Sequence, residues 1–213
     1  MSREPSIGDV VVAVAGGLTE ARDLLNQLDG VAGDGDLGLT AGRAAAALVE
    51  VAPNLAGASG AEALKSVGMT LARRAPSTGG TLVAFACLAA ARVEAREGSP
   101  ATATIADCLD AARDEIARRG KVSPGDRTML DALAPAAAAF RFAAEAGSDV
   151  RTCLVAAAAA AERGATATTD MDATTGRAGW LADRARGHED AGARLVAVVL
   201  AAAAAAMGGA PAP

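Results

Sequence analysis

The stretch VVAVAGGLTEARDLLNQL, residues 11–28, places Val11, Val14, Leu18, Ala21, Leu25 and Leu28 at steps of 3, 4, 3, 4 and 3. That spacing is one apolar stripe on an α-helix. Gly16 and Gly17 interrupt it away from the stripe. The same period recurs along the chain. Leu82, Phe85, Ala86, Ala89 and Val93 follow it, as do Ile105, Cys108, Leu109, Ala112 and Ile116, and then Met129, Leu133, Ala136, Phe140 and Ala143. The pattern predicts helices over 7–28, 38–51, 59–73, 78–96, 101–119, 127–146, 149–163 and 191–207, with a shorter one near 171–184. No βαβ alternation and no repeat of 20–50 residues appears.

Composition points the same way. The chain has 213 residues, of which 60 are Ala; aromatic residues make up 2 % and Tyr is absent. Alanine is the best helix former and a poor strand former, so a β-sandwich or barrel is excluded in practice. A core of methyl groups cannot fill wide gaps, so the helices must approach closely. Short connections between them predict antiparallel neighbours and an up-and-down bundle. One domain over residues 1–207 is expected, with a mobile tail at 208–213, GGAPAP after Met207. The net charge of −5 offers no basic surplus for phosphate backbones, so nucleic acid is not an expected partner. The longest apolar run, Leu195 to Met207, has 13 residues and falls short of the roughly 20 that a membrane span needs. Three scattered cysteines and an N-terminus without an apolar leader suit a cytoplasmic protein.

Five stretches break the helical pattern: 29–40, 76–81, 120–129, 170–180 and 187–192. In an up-and-down bundle every second loop lies at the same end, and these loops fall on one rim. The first reads LDGVAGDGDLGLT (residues 28–40), with three carboxylates, Asp29, Asp34 and Asp36, inside eight residues. Such a group repels itself unless a cation sits within it, and hard oxygen ligands suit Mg²⁺. An Asp/Gly-rich solvated turn accounts for the same letters. In APSTGGTL, Ser77 and Thr78 open a helix and could form an anion site, or Ser77 could simply cap it. In GKVSPGDRTMLDAL, Ser123, Pro124 and Asp126 read as a capping box with Pro at the first helical position; that leaves Gly120 and the Thr128–Met129 pair unexplained, and the pair could give a soft apolar edge to a purine. Arg177 could reach a phosphate or pair with Asp172 or Asp183; His188, the only histidine, reads as a solvated loop residue, and Trp180 as core.

Together, LNQLDGVAGDGDLG (25–38), SPGDRTMLDALAPA (123–136) and GRAGWLADRARGHEDAGA (176–193) resemble the nucleotide-binding L subunit, or L domain, of dihydroxyacetone kinases. The likeness runs from about Leu24 to Ala193. It implies an all-α, eight-helix antiparallel barrel holding ADP or ATP with two Mg²⁺ at one end. A separate K-type subunit would hold a small ketose and receive the phosphoryl group. In one branch of the family ATP exchanges freely; in another the bound ADP is rephosphorylated by a phosphocarrier subunit of the phosphoenolpyruvate-dependent phosphotransferase system. A homodimer is also compatible. Carried over by position, the resemblance makes Asp29, Asp34 and Asp36 the metal ligands. It sets Leu37, Gly38, Leu39 and Thr40 beside the phosphates, with Ser77 and Thr78 as the hydroxyl loop, Gly120 and Met129 at the adenine, Arg177 at a phosphate, and Asp190, Ala191 and Gly192 as the closing turn. The chain departs from the family in four places. Leu37 replaces a His, Thr40 an Asn, Ala75 and Pro76 a pair of glycines, and Ala191 a Pro. The departures leave a second reading, a nucleotide-binding paralogue that docks to a regulator without turnover.

Overall fold

The stripe from Val11 to Leu28 does turn inward, but on two helices rather than one. In the computed structural model, which describes residues 5–94, 101–173 and 182–208, α1 (Ile7–Glu20) and α2 (Arg22–Ala32) meet at Ala21. Two local features bend the chain there. The glycine pair removes side-chain support, and the Thr19 hydroxyl donates to the Ala15 carbonyl 2.8 Å away, competing with the helical ladder. Helix α2 then continues past Leu28, so Asp29 and Gly30 are helical and the loop expected from residue 29 begins at Gly33.

The remaining helices are α3 (Leu37–Val51), α4 (Gly60–Arg74), α5 (Thr78–Glu94), α6 (Ala101–Gly120), α7 (Leu130–Glu145), α8 (Val150–Ala167), the single turn α9 (Ala182–Ala185) and α10 (Ala191–Ala206). Eight long helices pack in a ring: α1 on α3, then α4, α5, α6, α7, α8 and α10, which returns to α1. Helix α2 lies outside that order, against α3, α9 and α10. Among the described residues every regular element is helical, and no helix is long and apolar enough to cross a membrane. The tail beyond Gly208, and with it the expectation of mobility there, lies outside the described residues, as does most of the helix expected near 171–184.

The interior is alanine with few large anchors. Phe140 and Leu25 are fully buried, Phe140 in a cluster made mainly of alanines and Leu25 in a second cluster of alanines and leucines. Glycines sit where helices touch. A Cβ on Gly68 of α4 would stand 2.9 Å from the Ala84 carbonyl oxygen of α5. One on Gly164 of α8 would stand 2.2 Å from the Asp131 carbonyl oxygen of α7. Pro135, which has no N–H, leaves that Asp131 carbonyl without its i+4 helical donor, and α8 closes over it.

The two ends differ. At one end α1 and α4 start with complete capping boxes, Ser6 with Asp9 and Ser59 with Glu62, and α8 starts on Asp149. At the other end the N-termini of α3, α5, α7 and α10 converge, and none has such a box. That end carries the irregular loops.

Close packing predicts opposite outcomes for two glycines. Gly68→Ala should destabilise the fold by about 1–3 kcal/mol through overpacking. Gly16→Ala, whose Cβ would meet nothing within 4 Å, should stabilise it by roughly 0.5–1 kcal/mol. Urea denaturation followed by circular dichroism checks both signs.

Candidate metal and nucleotide site

Asp29, Asp34 and Asp36 do come together. One carboxylate oxygen from each lies within 4.8 Å of the others, at the mouth between α2 and α3. Their supports differ. Asp29 projects from the last turn of α2, and its Oδ2 accepts the backbone N–H of Asp36 (2.9 Å) and of Leu37 (3.2 Å). It therefore caps α3 from another helix. A Cβ on Gly33 would fall 2.2 Å from its Oδ1, so only glycine lets the chain fold over this carboxylate. Asp36 occupies the N-cap position of α3, but its side chain makes no cap bond. Gly35, between the two exposed aspartates, has φ +73°, a left-handed turn that glycine adopts without strain.

Beyond the aspartates, the α3 residues divide. Leu37 packs against the core cluster of α1 to α5. Gly38 is buried where a Cβ would stand 2.0 Å from the Arg22 carbonyl oxygen, and Thr40 is buried as well. Leu39 is exposed, and its N–H donates to Asn26 Oδ1 at 3.2 Å. Much of this segment is thus packing that brings the α3 N-terminus against α2.

Ser77 caps α5: its Oγ accepts the Gly80 N–H at 2.9 Å. A Cβ on Gly80 would be 2.2 Å from the Ala75 carbonyl oxygen, so this turn is tight. Thr78 is exposed beside it. Ser77, Thr78, Thr81, Leu82, Phe85 and Arg119 line an open crevice of about 420 Å³ between α5 and α6. In it the Arg119 guanidinium stacks over the Phe85 ring, 3.4 Å from the centroid. Gly120 ends α6 next to Leu82 and Val122. Thr81, Phe85 and Arg119 were not expected here from the sequence; the i, i+4 spacing of Thr81 and Phe85 along α5 is the signal that could have found them.

The stretch before α7 departs from expectation. Ser123, Pro124 and Asp126 do not open a helix. The Ser123 N–H bonds the Asp126 carboxylate at 2.7 Å, but Gly125 has φ +99° and Arg127 φ +60°, so the chain turns and α7 begins only at Leu130. Left-handed backbone at a non-glycine residue costs on the order of 1–2 kcal/mol. Asp131 holds the turn, its carboxylate accepting the N–H groups of Gly125 and Thr128. Arg127 points inward and is 3 % exposed. Its Nε donates to the Thr168 carbonyl (3.2 Å), and its Nη2 to those of Ala185 (2.8 Å) and His188 (2.7 Å). Residue types alone carry no sign of these bonds.

Asp190 caps α10, accepting the Ala193 N–H at 2.7 Å, and its own N–H donates to the buried Thr168 hydroxyl at 2.8 Å. Burial pushes its carboxyl up to about 6, against the pull of the Ala193 amide and of Arg127. Ala191 is buried, and a Cβ on Gly192 would stand 3.4 Å from the Met129 backbone nitrogen. Met129 is also the nearest neighbour of Gly79 at the start of α5. Ala32 of α2 clusters with Ala173 and Ala185. The candidate residues therefore form one continuous rim, from the aspartates through Ala185 and Arg127 to Met129, Gly192 and the Ser77 turn. His188 is exposed and contributes its carbonyl to Arg127. Arg177 and Trp180 lie outside the described residues.

The DAK2 domain family matches residues 31–205. The chain is also similar to two solved structures. One is the dihydroxyacetone kinase of C. freundii in its native form, with TM-score 0.75, 25 % identity, and coverage of 96 % of this chain and 35 % of that one. The other is the C. freundii dihydroxyacetone kinase in complex with AMP-PNP and Mg²⁺, with TM-score 0.73 and the same identity and coverage. The chain thus spans about a third of the length of the solved structures it matches. Comparison with curated proteins gives no match.

The unequal supports of the carboxylates make a testable distinction. Asp36→Ala should leave the metal-free protein as stable or more stable, because it removes repulsion and no cap bond. Asp29→Ala should lower stability by about 1 kcal/mol, since it strips the acceptor from the first amides of α3. Both should weaken Mn²⁺ binding, followed by electron paramagnetic resonance. Equal stability losses would contradict the assignment of Asp29 as the cap.

Proposed function

The chain belongs to the DAK2 domain family, and from that premise we propose that it is the nucleotide-binding, phosphoryl-transferring subunit of a dihydroxyacetone-type kinase, acting on a small ketose held by a K-type subunit. The observation that carries this reading is the aspartate cluster. Three carboxylate oxygens within 4.8 Å of one another stand at the rim where four helix N-termini converge. A hard divalent cation fits that donor set, and aligned helix dipoles favour the polyphosphate that such a cation accompanies. A related structure holds AMP-PNP and Mg²⁺, which supports the same pairing here.

Asp29, Asp34 and Asp36 would hold Mg²⁺, two ions by analogy with the family, and the metal would supply charge neutralisation and orientation of the transferring phosphoryl group. The protein's own part is placement. The Ser77 turn offers its hydroxyl and the Thr78 hydroxyl to phosphate oxygens, with Arg177 as a further candidate. Gly120, Leu82 and Met129 give apolar surface to a base, and the Arg119–Phe85 stack lies next to them. Gly38, Thr40, Ala191 and Gly192 shape the wall by close packing. Phosphoryl transfer needs positioning more than covalent help, and the group that takes the acceptor's proton is assigned to the K-type subunit. Donor regeneration falls either to exchange of ATP or to a phosphocarrier subunit.

One observation favours the second reading. Leu37 packs into the core, so this position presents no polar group to the phosphates, as a docking paralogue without turnover would tolerate. Mixing the chain with Mg-ATP and a panel of ketoses, with and without a K-type subunit, separates the readings. Turnover is expected only in the mixture. Comparable turnover by the chain alone would place the acceptor site within it and contradict the two-subunit reading; Mg-nucleotide binding with no turnover in any mixture would favour the docking paralogue.

A further inference from the structure

Arg127 is a buried cation that bonds no carboxylate side chain in the described structure; its guanidinium goes to three backbone carbonyls instead. Those carbonyls lie 41, 58 and 61 residues further along the chain, at Thr168, Ala185 and His188. They belong to the end of α8, to α9 and to the loop that leads into α10. Each could have been satisfied by water or by a neutral donor at less desolvation cost than an arginine. Arg127 also holds a left-handed backbone, φ +60°, in which an L side chain is strained. A cost of two kinds at one residue calls for a gain, and the surroundings show where it falls. Two residues on, Met129 forms the rim surface against which Gly192 packs, with 3.4 Å from a Gly192 Cβ position to the Met129 nitrogen. The Thr168 carbonyl goes to Arg127 while its hydroxyl takes the Asp190 N–H. From the other side, Arg194 holds the same loop through Glu189, and reaches Glu162 on α8.

We propose that Arg127 is a positioning residue for the nucleotide, a clasp that fixes the Asp190–Gly192 turn against the Met129 edge so that the two sides of the nucleotide cleft keep one spacing. The inference rests on the reading of this rim as a nucleotide site and goes further: it assigns affinity to a side chain that does not itself face the ligand. The aspartate cluster takes its hydrogen bonds from the α3 amides and meets Arg127 only through the packing of Ala32 on Ala185, so Arg127 acts on nucleotide affinity ahead of metal affinity.

The experiment compares wild type, Arg127→Met, Arg127→Lys and Gly68→Ala. The last is a control whose stability loss arises away from the rim. Mg-ADP affinity is read by calorimetry, Mn²⁺ affinity without nucleotide by electron paramagnetic resonance, and stability by urea denaturation. Arg127→Met should lose at least tenfold in ADP affinity, with a smaller change in Mn²⁺ affinity. Arg127→Lys, which keeps the charge but cannot span three carbonyls, should fall in between. Gly68→Ala should bind ADP as wild type does. ADP affinity within twofold of wild type in either folded Arg127 variant overturns the proposal, and so does an equal loss in Gly68→Ala. If Arg127→Met does not fold, the Lys variant decides alone. Absence of ADP binding by wild type would instead overturn the nucleotide reading itself, and the clasp with it.

Discussion

Closeness of approach governs this molecule. With 60 alanines and almost no aromatic residues, eight helices can form a ring with a filled interior only if their axes come near enough for methyl groups to meet. Dispersion between methyl groups falls off steeply with separation, so a slightly wider ring would lose it. The glycines at helix crossings are the clearest sign: Gly68 faces a carbonyl oxygen of α5, and Gly164 one of α7. The few large side chains, such as Phe140 and Leu25, act as fillers in two clusters and not as a continuous core.

Such a ring has ends, and the chemistry gathers at one of them. The N-termini of α1 and α4 are closed by capping boxes of ordinary sequence. Those of α3, α5, α7 and α10 are closed by residues at the candidate site: Asp29 for α3, Ser77 for α5, the Asp131 turn for α7 and Asp190 for α10. On the proposed reading, capping and ligand placement are the same set of hydrogen bonds at this end. A carboxylate fixed by backbone amides is held in place, as Asp29 is.

The helices were legible because period 3.6 survives alanine: the stripe of α7 is buried from Met129 to Phe140 and that of α6 at Cys108 and Ile116, whereas on α5 only Ala86 of the stripe is buried, beside Ala84 and Ala90. The motif loops and the rim they share were legible too, since alternation of direction follows from short connections. Three features were not. The break at Ala21 comes from a glycine pair and a threonine back-bond that leave the apolar stripe intact, so periodicity passes over it. The S-P-x-D sequence at Ser123 mimics a helix start, but Gly125 and Arg127 take positive φ and α7 starts on Leu130. Arg127 is hidden because its partners are backbone carbonyls, which leave no trace in residue type. Among the candidate residues, Gly38, Thr40 and Ala191 turn out to be buried packing in the wall, a role that position in a motif does not distinguish from contact.

On the proposed reading, three carboxylates and four helix N-termini make one site for a metal-bound nucleotide. Calorimetry of ADP binding to the purified chain, in Mg²⁺ and then in excess chelator, tests it most directly. A single site in Mg²⁺ and loss of measurable binding in chelator are expected, because the polyphosphate cannot approach three bare carboxylates. Equal ADP affinity in both conditions would contradict it.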